Sequence, residues 1–239
     1  NSWSRWRFET YLARKPENIQ TMLSDSSVQV VVFDIFDTLL TRPLLYPERI
    51  KSIIAQLAGD ETGKIYLDLR ATAESQARQK AGRDISLDAI FKELAALSGL
   101  SPENIEKLRH LEEITEMRAV APRTEVIALL YTAIALGKHV VLASDMYLPK
   151  STIEAMLKEN GITGWHRLYV SSDLGLRKDT GDLYRHLLSE EQVTPNVVMV
   201  IGDNEHSDIQ IPGNMDMKLC HILRPVELAR TMPRLGPLI

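Results

Sequence analysis

The chain has 239 residues, of which 44% are hydrophobic and 25% are charged, and its net charge at pH 7 is −4. These fractions are typical of a globular protein, and the length fits one large α/β domain or a core domain with a smaller insert. No tract of lysine and arginine favours nucleic acid as a partner, and no apolar run approaches the roughly 18 residues of a membrane span. The single cysteine, Cys220, excludes an internal disulfide and a cysteine-based zinc site.

Residues 1–27 are polar with scattered aromatic side chains, and we expect a helical or linker segment there. The chain begins with Asn1 and shows no charged-then-apolar leader. This start predicts a cytoplasmic protein and a piece of a larger polypeptide.

Short β-branched and apolar runs recur along the rest of the chain and predict strands that are buried on both faces. They occupy residues 28–33, 139–143, 167–170, 197–201 and 217–222. Helical patterns lie between most of these runs, including residues 124–136 and a helix that opens at Ser151 as a capping box. Strands that alternate with helices predict an α/β fold with a parallel sheet covered on both faces.

Residues 47–120, between the first two predicted strands, show only helical patterns. Ile50, Ile54 and Leu57 share one helical face, and Ser86 and Ser101 are predicted N-caps of two further helices. A connection of this length is too long for an ordinary crossover. The pattern predicts a small helical domain set into a core formed by residues 28–46 and 121–239.

Polar residues follow four of the predicted strands at the point where each strand ends. In chain order they include Asp34, Asp37, Thr38, Ser144, Asp145, Lys178, Asp203, Asn204 and Asp208. Ligands of an open parallel sheet bind beyond the carboxyl ends of its strands. We therefore expect these carboxylates, the hydroxyl and the lysine to converge at one edge of the sheet.

This set of residues suits the transfer of an anionic group. Clustered carboxylates tolerate their mutual repulsion best when they share a hard cation, and Mg²⁺ takes oxygen ligands together with substrate phosphate. A carboxylate can also attack phosphorus and form an aspartyl-phosphate, while a lysine and a hydroxyl offset the charge of the phosphoryl oxygens.

Four motifs, in this order, resemble those of the haloacid dehalogenase (HAD) superfamily of hydrolases. The matching positions are Asp34 to Thr38 after the first strand, Ser144 at the end of the second, Lys178 before a helix, and Gly202-Asp203 followed by Asp208. The resemblance implies a parallel-sheet, Rossmann-like HAD core with a helical cap domain at residues 47–120.

The resemblance also implies roles for individual residues. Asp34 would be the nucleophile and a metal ligand, Ser144 would bind the phosphoryl group, and Lys178 would stabilise its charge. The implied ligands of Mg²⁺ are Asp34, the backbone carbonyl of Phe36, Asp203 and Asp208. Thr38, Arg42 and Asp145 are further candidates for substrate binding.

One position departs from the family pattern. Family phosphatases carry a second aspartate two residues after the nucleophile, where it protonates the leaving group, and here that position is Phe36. The next carboxylate, Asp37, would point elsewhere in extended backbone because side chains alternate, unless an irregular turn re-aims it. The substitution leaves open a slow phosphatase, an enzyme for substrates with good leaving groups, or a phosphoryl-binding module. Dehalogenation is formally possible but ranks below these, because Asp203 and Asp208 suit a cation that dehalogenation does not require.

The residues around the first two motifs are more narrowly similar to a bacterial HAD subgroup associated with glycosyltransferases of surface-polysaccharide synthesis. We expect a small phosphorylated substrate such as a sugar or polyol phosphate. The alternative is a catalytically weak domain that docks onto a glycosyltransferase. For Arg70, Arg78 and Arg83 we expect solvated helix surface, and for His206 a turn or the edge of the site.

Overall fold

The computed structural model describes residues 16–44 and 46–231, so residues 1–15 of the predicted N-terminal segment lie outside the described part. The strands are β1 (Val30–Asp34), β2 (Leu40–Thr41), β3 (Ala121–Pro122), β4 (His139–Ser144), β5 (Arg167–Val170), β6 (Val198–Gly202) and β7 (Lys218–His221). Five of them form one parallel sheet in the order β5-β4-β1-β6-β7. The predicted α/β fold and all five predicted strands are confirmed.

Helices surround the sheet and fill the long connection after β2. They are α1 (Pro16–Ser24), α2 (Ile50–Ala58), α3 (Asp60–Ala81), α4 (Leu87–Ser98), α5 (Pro102–Arg118), α6 (Thr124–Ala135), α7 (Lys150–Glu159), α8 (Ser171–Leu174), α9 (Asp182–Glu191), α10 (Ile211–Gly213) and α11 (Pro225–Thr231). Short 3-10 turns at Pro47–Arg49 and Pro195–Val197 and a π-helical turn at Glu205–Gln210 complete the described elements.

The central strand β1 is buried along its whole length, which explains its β-branched sequence. Val31 and Phe33 belong to the apolar core on one face of the sheet, and Val30 and Val32 belong to the core on the other face. This alternation follows from the period of two in a strand. Every side chain of β1 before Asp34 is therefore committed to packing, and Asp34 is the first polar group at the end of the strand.

Helices α2 to α5 form an insert between β2 and β3, and we call residues 50–118 the helical insert. The two ends of the insert are held together by an antiparallel ladder that pairs Leu40 with Pro122 and Thr41 with Ala121. The two predicted N-caps are confirmed, because the hydroxyls of Ser86 and Ser101 accept hydrogen bonds from backbone N–H groups three residues later.

The predicted capping box at Ser151 is wrong. Helix α7 begins one residue earlier, at Lys150, and its N-cap is Pro149. The carbonyl of Pro149 accepts the N–H groups of Thr152 and Ile153, so the proline fixes the entry of the helix without a side-chain cap. Among the described residues, no helix is both long and apolar enough to cross a lipid bilayer.

Candidate active site

Three carboxylates meet at the carboxyl ends of two neighbouring strands. Asp34 is the last residue of β1, Asp203 directly follows β6, and Asp208 lies in the π-helical turn beyond it. One oxygen from each carboxylate lies within 4.8 Å of the others, and all three residues are buried. The parallel pairing of β1 with β6 brings these residues together, although Asp34 and Asp203 are far apart in the sequence.

A buried lysine joins two of these carboxylates. The Lys178 ammonium donates to Asp34 Oδ1 at 2.6 Å and to Asp208 Oδ1 at 2.8 Å. Burial alone would lower the pKa of Lys178, but Asp208 and Asp34 hold it well above its usual range, so the ammonium stays charged. The Tyr184 hydroxyl donates to the carbonyl of Ser207 and lies 3.3 Å from Asp208 Oδ1, and it fixes the turn that carries Asp208.

The cluster is short of positive charge. Burial raises the pKa of Asp34 to about 7, against the lowering effect of Lys178. Burial, and then the negative charges of Asp34, Asp208 and Asp37, raises the pKa of Asp203 well above its usual range. Both shifts report carboxylates that lack a sufficient counter-charge.

One carboxylate oxygen of the cluster also lacks a partner. Asp34 Oδ2 is buried and has no hydrogen-bond partner among the residues that the structure describes. A buried oxygen of this kind is costly unless a ligand satisfies it. Hard oxygen ligands at this spacing fit a divalent cation such as Mg²⁺, which would coordinate Asp34, Asp203 and Asp208.

The backbone at the end of β6 and in the turn that follows packs closely against the side chain of Asp208. A Cβ atom at Gly202 would lie 2.5 Å from three side-chain atoms of Asp208, so only glycine leaves room for the carboxylate. The amide oxygen of Asn204 accepts the N–H groups of His206 and Ser207 and starts the turn, and Asp208 Oδ2 accepts the N–H of Asn204. The Gly-Asp-Asn sequence is therefore a turn that also delivers two carboxylates.

Thr38, Ser144 and Asp145 lie around the cluster. The hydroxyl of Thr38, fully buried, donates to Asp203 Oδ1 at 3.2 Å. Ser144 is the buried last residue of β4 and follows Ala143, which pairs with Asp34 in the sheet register. The carboxylate of Asp145 accepts the backbone N–H of Lys178 at 3.0 and 3.2 Å, so it holds the loop that carries the lysine.

An irregular turn follows Asp34 and includes Asp37. Asp37 has a φ of +63°, in the left-handed region, and its N–H donates to the carbonyl of Leu40 at 2.6 Å. Its side chain lines a cavity beside the cluster, and its charge contributes to the raised pKa of Asp203. The alternation rule of extended backbone therefore does not apply at this residue. That Asp37 acts in the site stays a prediction.

Phe36, immediately before Asp37, supports an arginine. The guanidinium carbon of Arg42 lies 5.1 Å from the centre of the Phe36 ring. Nε and Nη2 of Arg42 donate to Glu116 Oε2 of α5 at 3.0 and 2.9 Å, and Nη1 lies 3.8 Å from Asp37 Oδ2. Arg42 thus ties the loop after β1 to the helical insert. That the carbonyl of Phe36 binds metal stays a prediction.

Two residues near the site were not predicted from the sequence. Arg224 follows β7, and its Nε lies 3.5 Å from Asp203 Oδ2. The same rule that selects polar residues after strands would have found it, had the rule been applied to the last strand. Glu116 sits within a helix of the insert, and no local sequence signal indicates its contact with Arg42.

The helical insert corrects one expectation. Arg70 is only 2% exposed and donates twice to Glu112, so the prediction of solvated helix surface is wrong for this residue. Arg78 pairs with Glu74 at 3.1 Å and with Asp84. The remaining two candidates, Arg83 and His206, are exposed, and the His206 ring lies 3.2 Å from Gln210.

Comparisons with known proteins agree with this geometry. A sequence-family profile described as haloacid dehalogenase-like hydrolase matches residues 28–214. No curated protein sequence matches the chain.

Solved structures share the fold at low sequence identity. A haloacid dehalogenase-like family hydrolase from Xanthomonas campestris is 19% identical, with a TM-score of 0.59 and 84% of each chain covered. The L-2-haloacid dehalogenase from Xanthobacter autotrophicus is 18% identical, with a TM-score of 0.56 and 87% of this chain and 86% of that chain covered. A putative HAD hydrolase from Bacillus subtilis, bound to magnesium, is 14% identical, with a TM-score of 0.53 and coverage of 82% and 88%. The match of the family profile to most of the chain shows that the protein belongs to the haloacid dehalogenase-like hydrolases.

Proposed function

We propose that the chain is a Mg²⁺-dependent phosphohydrolase that acts through an aspartyl-phosphate at Asp34. The observation that carries this proposal is the buried cluster of three carboxylates, of which a single lysine ammonium contacts two. Three negative charges and one positive charge leave two negative charges, which one divalent cation would balance. The half-buried Arg224 also lies 3.5 Å from Asp203 Oδ2, but Glu227 pairs with it at 3.0 Å and offsets its charge.

The residues of the site divide the chemistry between them. A carboxylate oxygen of Asp34 attacks phosphorus, and the bond from phosphorus to the leaving-group oxygen breaks. Ser144 and Lys178 bind the phosphoryl oxygens and offset their charge. Water then cleaves the aspartyl-phosphate, which releases inorganic phosphate and restores Asp34. A bound Mg²⁺ would neutralise charge on the phosphoryl oxygens.

We propose Asp37 as the proton donor that replaces the acid missing at Phe36. Asp37 has a left-handed backbone and lines a cavity that it shares with Arg224, whose Nε lies 3.5 Å from Asp203 Oδ2. The leaving group would lie in this cavity. General acid–base help of this kind contributes about 10²- to 10⁴-fold to a rate. Thr38 and Asp145 donate to Asp203 and accept from the backbone of Lys178, respectively, and their binding of substrate stays a proposal.

We further propose that residues 47–120 act as a cap over a core of residues 28–46 and 121–239. Glu116 of the insert binds Arg42 beside the site, and Leu87 at the start of α4 donates its N–H to the carbonyl of Tyr147 at 2.8 Å. Such a cover favours a small phosphorylated metabolite, such as a sugar or polyol phosphate, over a macromolecule. A glycosyltransferase partner remains a proposal from the motif resemblance, and a cytoplasmic location remains a separate proposal.

Dehalogenation is the second candidate, because Phe36 removes the usual acid and several solved structures with this fold are dehalogenases. The carboxylate cluster favours the phosphohydrolase, since dehalogenation requires no cation. A docking module without activity is the third candidate.

The test is hydrolysis of p-nitrophenyl phosphate with and without Mg²⁺, beside halide release from 2-chloropropionate. We expect phosphate release that requires Mg²⁺ and disappears in Asp34→Asn, with the far-UV circular dichroism unchanged. Halide release by the unsubstituted protein would favour the dehalogenase. Mg²⁺ binding without turnover of either substrate would favour the docking module.

A further inference from the structure

The helical insert contacts the loop that follows β4 through Tyr147. This residue is buried, and its hydroxyl donates to Glu116 Oε1 at 2.9 Å and accepts a hydrogen bond from the ammonium of Lys51. The carbonyl of Tyr147 accepts the N–H of Leu87 at 2.8 Å. Three positions of the insert, in α2, at the start of α4 and in α5, therefore bind one residue of the core.

Two positive charges lie against the ring of Tyr147. The Nζ of Lys51 is 4.7 Å and the guanidinium carbon of Arg70 is 5.1 Å from the ring centre. Burial raises the pKa of Tyr147 well above its usual range, and the negative charges of Glu116 and Glu112 add to this shift. Tyr147 therefore donates to Glu116 as a neutral phenol, and contacts with both cations hold its ring.

The same loop also binds the segment that carries Lys178. Asp145, two residues before Tyr147, accepts the backbone N–H of Lys178 at 3.0 and 3.2 Å, and its charge contributes to the raised pKa of Lys178. The carbonyl of Leu148, one residue after Tyr147, accepts the hydroxyl of Ser172 at 3.2 Å. Since each residue has only two soft backbone torsions, fixing Tyr147 restricts the positions of both acceptors.

The position of Lys178 matters for the proposed chemistry. Its side chain is buried, and its ammonium donates to Asp34 and Asp208 at 2.6 and 2.8 Å. A cation that offsets developing charge acts through its placement, and a displacement of about 1 Å can cost about 10²-fold in rate. The backbone of Lys178 is connected to the insert through Asp145 and Tyr147.

We propose that Tyr147 is a positioning residue through which the helical insert fixes Lys178 at Asp34. This inference rests on the proposed function and adds a second role for the insert. Besides covering the site, the insert anchors the loop that holds the lysine. Tyr147 acts on the reaction through Asp145 and does not itself bind the phosphoryl group.

The kinetic test compares Tyr147→Phe with Tyr66→Phe on p-nitrophenyl phosphate with Mg²⁺. Each substitution removes one buried hydroxyl from the same charge network, but the hydroxyl of Tyr66 donates to Glu112 within the insert. We expect Tyr147→Phe to lower kcat about tenfold and to change KM by less than about twofold, because a displaced lysine stabilises the transition state less well. Tyr66→Phe should lower kcat by less than about twofold. In an Asp145→Ala background the loss caused by Tyr147→Phe should disappear, since the connection to Lys178 is already broken.

Hydrogen exchange tests the same connection without turnover. We expect the backbone N–H groups of residues 172–178 to exchange about tenfold faster in Tyr147→Phe than in Tyr66→Phe. Lys51→Met covers the case in which Tyr147→Phe does not fold. It removes the donor to the Tyr147 hydroxyl and keeps the ring, and it should also speed exchange in residues 172–178.

Three results would overturn this inference alone, in a protein that hydrolyses p-nitrophenyl phosphate. They are exchange of residues 172–178 that matches the unsubstituted protein, a kcat loss no larger than that of Tyr66→Phe, and a loss that persists in the Asp145→Ala background. Faster exchange in Tyr147→Phe without phosphate release by the unsubstituted protein refutes the phosphohydrolase. In that case the connection from the insert to Lys178 stands.

Discussion

At the level of single residues, the backbone at Asp37 is left-handed, and we propose that this conformation lets Asp37 take the role of the acid missing at Phe36. An extended residue at this position would point its carboxylate away from the cluster. The φ of +63° shows that the backbone is not extended here, and Asp37 lines one cavity together with Arg42 and Arg224. Aspartate tolerates this conformation better than most residues, so the turn costs little.

The first prediction concerns Asp37→Asn. Loss of the proton donor should lower kcat by about 10²- to 10⁴-fold on alkyl phosphates, whose leaving groups need a proton. The loss should be much smaller on p-nitrophenyl phosphate, whose leaving group departs as an anion. Steady-state kinetics on both substrates measure the difference. Asp216→Asn is a matched control, since Asp216 has a φ of +62° and is exposed away from the site. An equal loss on both substrates would contradict the acid role.

The second prediction concerns Gly202→Ala. The new methyl group would meet the Asp208 carboxyl at 2.5 Å and displace it from Lys178 and the cation site. Overpacking of this kind costs about 1–3 kcal/mol of unfolding free energy, and we expect Mg²⁺ affinity to fall at least tenfold. Urea unfolding and calorimetry measure the two effects. In Gly213→Ala the added methyl meets only the end of the Leu219 side chain, so Mg²⁺ affinity should not change.

At the level of elements, a buried charge network ties the helical insert together and to the core. Glu112 of α5 accepts from Arg70 and Tyr66 of α3 and from Lys51 of α2. The hydroxyl of Tyr147, in the loop after β4, donates to Glu116 Oε1 at 2.9 Å, one turn further along α5. The loop that follows Ser144 is thereby fixed to the insert.

The third prediction concerns Glu112→Gln. The substitution leaves the buried guanidinium of Arg70 and the ammonium of Lys51 without their shared counter-charge, which costs about 3–5 kcal/mol of unfolding free energy. Urea unfolding at pH 7 measures the loss. Glu103→Gln breaks an exposed, solvent-screened pair with Lys107 and should leave the free energy of unfolding almost unchanged. A loss no larger than that of Glu103→Gln would contradict the stabilising role of the network.

The same network predicts a pH dependence. Burial opposes ionisation of Glu112, but Lys51 and Arg70 together lower its pKa from 4.5 to about 2. Between these two pKa values the unfolded chain binds more protons than the folded chain, so the unfolding free energy increases with pH across this window. The stabilisation by ionised Glu112 therefore disappears as the pH falls through the window. We expect Glu112→Gln to have a flatter stability profile from pH 5 to pH 3 than the unsubstituted protein. Parallel profiles would show that another group carries the dependence.

At the level of the whole molecule, site residues that follow strands could be predicted from the sequence. Contacts between the helical insert and the core, and between helices of the insert, could not. Asp34, Asp203 and Lys178 were found because strand ends in a parallel sheet share one edge. The partners Arg42 and Glu116 meet only when α5 packs beside the loop after β1, and no periodicity encodes that packing. The burial of Arg70 was missed for the same reason. Its charge predicts exposure, and the pair with Glu112 on another helix offsets the free-energy cost of burying that charge.

The most direct test is a calorimetric titration of the metal-free protein with Mg²⁺. The account predicts one saturable site per chain, with affinity reduced at least tenfold in Asp203→Asn and in Asp208→Asn and unchanged in Asp216→Asn. Absence of saturable binding, or binding that the Asp203 and Asp208 substitutions leave intact, would contradict a cation centre formed by Asp34, Asp203 and Asp208.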